Sequence, residues 1–158
     1  MDTTIREAKD TDQSQILELI NSLKQFDSQF DEHYKTDKQS VVDLYDEIKS
    51  KGQIFVSVIE RKVVGFVSVE INNKNDKLIE ETIPVAYISD IVISPEFRNQ
   101  GIGTKLLETV EIWAKNKDIR FLKLIVFSDN NNAKKIYSNF GFKEYETTML
   151  KDLAGHRL

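Results

Sequence analysis

Three runs rich in β-branched residues place most of a β-sheet in the middle of the chain. Ile54 to Ile59 and Val63 to Ile71 are separated only by the tripeptide Glu60-Arg61-Lys62, which predicts a hairpin, and Val85 to Ile93 predicts a third strand. A polar stretch from Asn72 to Glu81 leads from the second run toward the third. A sheet with this many apolar residues must be covered, so helices are expected on its faces.

Amphipathic helices are predicted before and after these strands. Asp10-Thr11-Asp12 supplies cap residues for a first helix, and Lys51-Gly52 ends a second one. Four helices are predicted in all, each from apolar side chains that recur at helical spacing: Ile16, Leu19, Ile20 and Leu23; Val41, Leu44, Tyr45 and Ile48; Ile102, Leu106, Leu107, Val110 and Trp113; and Ala133, Ile136, Tyr137 and Phe140.

Three more strands complete the predicted sheet. Thr3 to Glu7 is extended in character, and Phe121 to Phe127 is almost continuously apolar, which is typical of a strand in the middle of a sheet. Lys143 to Leu150 is expected to form a last strand. The predicted order β-α-α-β-β-β-α-β-α-β corresponds to an α/β fold of the layered α+β type. We expect one domain over residues 1–152, followed by a disordered tail or expression remnant over residues 153–158.

Composition narrows the possible functions. The net charge of -4 disfavours a nucleic-acid partner, and no apolar run approaches the roughly 18 to 20 residues that cross a bilayer, so no membrane partner is expected. There is no cysteine, and the two histidines, His33 and His156, lie far apart, so neither a disulfide nor a metal site is expected. The first residues lack the features of a secretory signal, and a cytoplasmic location is the default expectation.

The segment Arg98-Asn99-Gln100-Gly101-Ile102-Gly103-Thr104 lies between a predicted strand and a predicted helix. Such a junction collects free backbone N–H groups and the positive end of a helix dipole. Gly101 and Gly103 have no side chain that would keep a phosphate from the backbone, and Arg98 adds a positive charge. The segment favours a pyrophosphate ligand, although Gly101 would also suit a simple turn from strand to helix.

Two well-known nucleotide loops do not fit this segment. The dinucleotide fingerprint needs a third glycine three residues after Gly103, and the chain has Leu106 there. The phosphate loop of the NTPases needs glycine, four residues and then Gly-Lys-Ser/Thr, a string that does not occur. A nucleotide-binding module of either type is therefore disfavoured.

Two segments resemble the signatures of the GNAT superfamily of N-acetyltransferases. The first runs from Ile91 to Gly103, and from Arg98 onward it matches the pattern Gln/Arg-x-x-Gly-x-Gly/Ala of the cofactor loop. The second runs from Asn130 to Phe142, with an alanine three residues and a tyrosine seven residues after its start and Gly-Phe at its end. Both segments occur in the family's order, and the resemblance extends over almost the whole chain.

The resemblance implies a fold and a co-substrate. The family fold is a mixed, mostly antiparallel sheet of six to seven strands, flanked by about four helices and splayed at its central strands. Acetyl-CoA would bind at the splay without a metal, and a homodimer is a further expectation. The residues expected to contact acetyl-CoA are Ile91, Val92, Ile93, Arg98, Asn99, Gln100, Gly101, Ile102, Gly103, Thr104, Asn130 and Tyr137.

The implied reaction is transfer of an acetyl group to a primary amine of a small molecule or peptide. Tyr137 lies where many family members have the general acid, and a phenol with a pKa of about 10 can protonate the CoA thiolate. Asp90 is the predicted general base, because strand alternation groups it with Ile88 and Val92, where partial burial would raise the pKa of a carboxyl. A water chain, or more weakly Ser89, is the alternative.

The acceptor side is expected to come from the first two helices and the Asn72 to Glu81 connection. The acidic and aromatic stretch from Phe26 to Tyr34, which contains Asp27, would favour a cationic amine, although it also suits a solvated helix edge. A non-catalytic domain that binds acyl-CoA as a sensor is the alternative function.

Overall fold

The computed structural model describes residues 2–72, 83–151 and 153. Within them, one five-stranded sheet is accompanied by four α-helices. The strands are β1 Thr4–Glu7, β2 Gly52–Ile59, β3 Lys62–Asn72, β4 Val85–Ile93 and β5 Phe121–Leu124. The helices are α1 Gln13–Asp27, α2 Lys38–Lys51, α3 Ile102–Lys115 and α4 Asn131–Phe140. The predicted connection beyond Asn72 and the predicted tail, apart from Leu153, lie outside the described residues.

The sheet is mixed and mostly antiparallel, as predicted. β1 to β4 follow one another as antiparallel neighbours, and β5 pairs in parallel with β4. The predicted count of six to seven strands is wrong, because the described residues form five. Residues 143–150 form no strand. Their apolar side chains find no face to cover, as Tyr145 at 88% exposure illustrates, and an ion pair of 2.8 Å between Lys134 and Glu144 attaches the segment to α4.

β5 is shorter than predicted and lies at the edge of the described sheet, not in its middle. Ile125, just after the strand, is 77% exposed. The ring of Phe127 stacks on that of Phe30, which follows α1, at 5.3 Å between centroids. An apolar run indicates residues that need burial but not where they find it. Since Phe127 packs outside the sheet, the strand is shorter than the apolar run from Phe121 to Phe127.

The sheet separates two hydrophobic cores. One lies between the sheet and α3, and the other lies between the sheet and the pair α1 and α2. Side chains that alternate along the strands contribute to the two cores in turn, with Val67, Val69 and Ile88 facing α3 and with Val56, Phe66 and Val92 facing α1 and α2. Burial of each such side chain contributes about 1.5–3 kcal/mol, which fixes the helices on the sheet.

A partly buried ion pair fixes the start of α1. The Asp12 carboxylate accepts hydrogen bonds from both terminal nitrogens of Arg6, at 2.6 and 2.9 Å, and from the backbone N–H of Lys9 at 2.7 Å. The bonds from Arg6 lower the pKa of Asp12, so the pair is charged at neutral pH. From this anchor α1 packs across β3 and β4 and ends at Asp27. None of the described helices is long and apolar enough to cross a membrane.

Candidate active site

β4 and β5 separate part of the way along the sheet. They pair over Val85–Ile88 of β4, and the strand then continues to Ile93 beside β3. Beyond Ile88, the edge of β4 that faces β5 has no strand partner among the described residues. Such an edge presents backbone N–H and C=O groups to a ligand that lies along it. Ile91, Val92 and Ile93, the predicted contacts of acetyl-CoA in this strand, lie on that part of β4.

A β-bulge at Ser89 sets the direction of the Asp90 side chain. Ser68 of β3 pairs with Asp90, whereas the next residue of β3 pairs with Ile88, so Ser89 is an extra residue. The bulge shifts the alternation by one position. Asp90 therefore shares the face of Val92, toward α1 and α2, while Ile88 packs in the core beneath α3. The predicted grouping of Asp90 with Ile88 is wrong for this reason.

Asp90 exchanges two hydrogen bonds with Ser68. The Ser68 hydroxyl donates to Oδ2 at 3.1 Å and accepts the Asp90 N–H at 3.1 Å. Burial raises the pKa of the Asp90 carboxyl, while the bond from Ser68 and the charge of Lys24 oppose that rise. A groove of about 190 Å³ opens beside it, and the polar side chains that line this groove are Glu47, Lys51, Ser68, Glu70, Tyr87, Ser89 and Asp90. In the described residues no group of three or more acidic, histidine or cysteine side chains is arranged to hold a metal.

The loop before α3 requires one of its two glycines. Gly101 has a φ of 76° at the position preceding the first helical residue, and Asn99 has a φ of 62°. Only glycine adopts this left-handed conformation at little steric cost, with asparagine next best. The turn alone therefore explains Gly101, which was one of the two explanations that the sequence left open.

Gly103 has no such conformational reason. It lies in the first turn of α3 without a positive φ, and a Cβ added to it would meet nothing within 4 Å. A glycine inside a helix costs roughly 0.5–1 kcal/mol relative to alanine. A residue that weakens the helix and faces open space beside free N–H groups leaves room for a ligand at the backbone.

The other loop residues divide between core and surface. Ile102 is buried in the core beneath α3, so only its backbone can face a ligand, while Asn99, Gln100 and Thr104 are exposed. The Nε of Arg98 donates to the Ile93 carbonyl at 3.1 Å, and its guanidinium lies 5.6 Å from the ring centre of Phe26. Arg98 thus connects the loop to β4 through Ile93 and to α1 through Phe26.

α4 carries the two site residues predicted from the second signature. The Oδ1 of Asn130 accepts the N–H of Ala133 at 3.2 Å and so caps the helix. Tyr137 is half-buried and packs edge-on against Phe142, with 5.9 Å between ring centroids. Burial, together with the charges of Asp27 and Asp90, raises the pKa of Tyr137 to about 12. The phenol is therefore protonated at neutral pH and is able to donate.

Asp27 is the site residue that the sequence analysis underestimated. Burial and the negative charge of Asp90 raise the pKa of Asp27 to about 6, against the opposing charge of Lys24. The charges of Asp27 and Asp90 both raise the pKa of Tyr137, so the three groups interact electrostatically. The signal in the sequence was its spacing, because Asp27 falls eleven residues after Ile16, on the buried stripe of α1.

The family follows from this fold and loop. A model of the Acetyltransferase (GNAT) family matches residues 16–142. The chain therefore belongs to the GNAT family, which confirms the resemblance carried by its two signature segments.

Curated relatives of the chain include N-acetyltransferases from archaea and bacteria. One from Methanocaldococcus jannaschii, described as uncharacterized, is 37% identical over 92 residues, which make up 58% of this chain and 39% of that protein. An aminoglycoside N(6')-acetyltransferase type 1 of Salmonella typhimurium is 25% identical over 92 residues, 58% of this chain and 63% of that protein. This chain thus spans less than two thirds of the length of either relative.

A solved structure with the same fold contains a CoA derivative. AAC(6')-Iy in complex with the bisubstrate analog CoA-S-monomethyl-acetylneamine superposes with a TM-score of 0.73 at 19% sequence identity, covering 96% of this chain and 98% of that one. At this level of identity the comparison establishes the fold, and the splayed α/β sheet with its helices is the architecture the two proteins share.

Proposed function

We propose that this chain is an acetyl-CoA-dependent N-acetyltransferase whose acceptor is a primary amine of a small molecule or peptide. The observation that carries the proposal is the open edge of β4 next to the first turn of α3, where Gly103 leaves space at the backbone. Family membership supports a transferase, and the CoA derivative bound by AAC(6')-Iy supports CoA as the carrier of the transferred acetyl group.

The donor would lie along the splay. The pantetheine amides pair with the backbone of Ile91 to Ile93, and the pyrophosphate lies against the loop from Arg98 to Thr104. Free N–H groups at the start of α3 and the charge of Arg98 compensate the phosphate charge, even though the chain as a whole is acidic. Asn130 caps the helix that carries Tyr137, and Tyr137 lies about two turns further along that helix.

The chemistry requires two proton transfers. The acceptor amine must reach the thioester carbonyl carbon as a neutral nucleophile, so it first loses a proton on the side of Asp90. As the carbon–sulfur bond breaks, the departing thiolate takes a proton from Tyr137, whose pKa of about 12 keeps that proton in place until the thiolate forms. The acetylated amine and CoA are the products.

Replacing Asp90 with asparagine is expected to lower kcat/KM for the amine at least about tenfold, since a factor of ten corresponds to only 1.4 kcal/mol of lost interaction with the ammonium. Affinity for acetyl-CoA should stay the same, because the Asp90 side chain faces α1 and α2. Steady-state kinetics and calorimetry measure the two effects. Asp43→Asn removes an exposed carboxylate of α2 and is the control; equal kinetics for the two variants would contradict the role of Asp90.

A thiol-release assay over a panel of amines tests the activity itself. The panel contains polyamines, amino acids, aminoglycosides and peptide N-termini, because one relative is named for an aminoglycoside but nothing in this chain's loop selects among amines. We expect release of CoA that depends on both the amine and Tyr137. Binding of acetyl-CoA without release for any amine would instead favour a non-catalytic acyl-CoA-binding domain.

A further inference from the structure

The residues on either side of Asp27 contact the loop that follows β4 and the chain that leaves β5. Phe26, just before it, lies under the guanidinium of Arg98 at 5.6 Å, and Arg98 begins the loop before α3. Phe30, one turn after it, stacks at 5.3 Å on Phe127, which belongs to the chain leaving β5. Asp27 is therefore held between the loop on one side and the β5 side on the other, above the splay.

The carboxylate of Asp27 has an unusual environment for an acidic side chain. It is half-buried, and none of the described residues donates a hydrogen bond to its oxygens. Asp90, by contrast, has the bond from Ser68. A half-buried carboxylate without a donor, close to a second carboxylate, is a position that a cation would stabilise.

One buried cation acts on both carboxylates through its charge. Lys24, on the preceding turn of α1, is 8% exposed, and its charge lowers the pKa of Asp27 and of Asp90. Its Nζ donates to the Lys35 carbonyl at 3.2 Å and lies 5.5 Å from the ring centre of Tyr34, so it also ties down the chain that follows α1. Lys24 therefore favours the ionised form of both carboxylates.

We propose that Asp27 is a catalytic residue of this site: its carboxylate takes the proton that the acceptor ammonium loses, and the positive charge of Lys24 favours its ionised form. The inference rests on the proposed N-acetyltransferase activity and deepens it, because the base becomes a pair of carboxylates in which Asp27 receives the proton and Asp90 adjusts its basicity. Lys24 is a positioning residue, since it acts through the carboxylates.

The protons balance along this route. The ammonium transfers one proton to Asp27, and the nitrogen lone pair then forms the bond to the thioester carbon. When the carbon–sulfur bond breaks, the thiolate takes the proton of Tyr137, and the resulting phenolate takes the second proton from the new amide nitrogen. Asp27 releases its proton to solvent, so each turnover yields the amide, CoA and one proton.

The route predicts a dependence on pH. Asp27 must be ionised to act, and its pKa of about 6 means that kcat/KM falls as the pH drops through about 6. The groups that face it are Lys24 from α1, Asp90 from β4, Tyr34 from the chain after α1 and Tyr137 from α4. Of these, Asp90 raises its pKa and Lys24 lowers it, which gives each substitution a distinct sign.

Asp27→Asn and Asp90→Asn separate the two carboxylates. kcat/KM is measured from pH 5 to 9 with neamine, spermidine and n-butylamine as acceptor probes. Asp27→Asn should reduce kcat/KM about 100-fold and abolish the acid limb, which is the size of effect general base catalysis contributes. Asp90→Asn should keep an acid limb but move it to lower pH. An acid limb that survives in Asp27→Asn and disappears in Asp90→Asn would overturn the assignment.

Lys24→Met and Lys24→Arg test the positioning role. Loss of the positive charge should move the acid limb of Lys24→Met to higher pH, while Lys24→Arg should restore the wild-type profile. Glu18→Gln, an exposed carboxylate of the same helix, is the control. An unmoved limb in a folded Lys24→Met would overturn this part of the inference. If the wild type binds no acetyl-CoA and releases no thiol, the proposed function itself fails. If the wild type is active and Asp27→Asn has the same activity, only the role of Asp27 fails.

Discussion

Gly103→Val is expected to reduce the affinity for acetyl-CoA by at least about 100-fold while the protein stays folded. The valine side chain would occupy the space beside the first turn of α3, where a Cβ meets no protein atom within 4 Å. A phosphate could then no longer approach the N–H groups of that turn, and each lost charge-assisted hydrogen bond to a phosphate is worth about 1.5–3 kcal/mol. The fold should tolerate the change, because valine has a slightly better helix propensity than glycine.

Calorimetry with acetyl-CoA and thermal unfolding measure these two properties of Gly103→Val. Glu108→Val places the same side chain on an exposed position of the same helix, away from its first turn, and should bind acetyl-CoA as the wild type does. Normal affinity in a folded Gly103→Val would remove the loop from the donor site.

Tyr137→Phe is expected to lower turnover by roughly 100-fold or more at neutral pH, which is within the range that general acid catalysis contributes. The phenyl ring preserves the packing against Phe142, so neither stability nor acetyl-CoA affinity should change appreciably. Because the pKa of Tyr137 is raised to about 12, the wild-type enzyme should show no loss of rate from this group up to about pH 10.

Tyr145→Phe is the matched control for Tyr137→Phe, since Tyr145 is almost fully exposed and lies outside the site. Single-turnover measurements with a saturating amine isolate the chemical step from product release. An unchanged single-turnover rate in Tyr137→Phe would show that another group, or solvent, protonates the thiolate.

Much of the central sheet was predictable because short-range patterns determine it. β4 was predicted and observed from Val85 to Ile93, and the helix expected near Gly101 begins at Ile102. β-branched runs, a charged three-residue turn and a glycine before an amphipathic stretch are local signals that the rest of the chain did not override. The predicted donor loop depended on the same local signals.

The acceptor side was less predictable because it depends on long-range contacts. One extra residue at Ser89 reverses the alternation of β4 before Asp90, and alternation in the sequence alone cannot reveal a bulge. The pKa of Asp27 is raised by burial and by the charge of Asp90, which is distant in the sequence. The prediction of a final strand over residues 143–150 was wrong for a related reason. A segment forms a strand only where a sheet edge and an uncovered face are available to it.

A calorimetric titration of the wild-type protein with acetyl-CoA, repeated with CoA, tests the central claim most directly. The open edge of β4 and the first turn of α3 predict one site per chain with a Kd of micromolar order for both ligands. If neither acetyl-CoA nor CoA binds, the assignment of the splay and the loop as a CoA site is contradicted, and with it the proposed acetyl transfer.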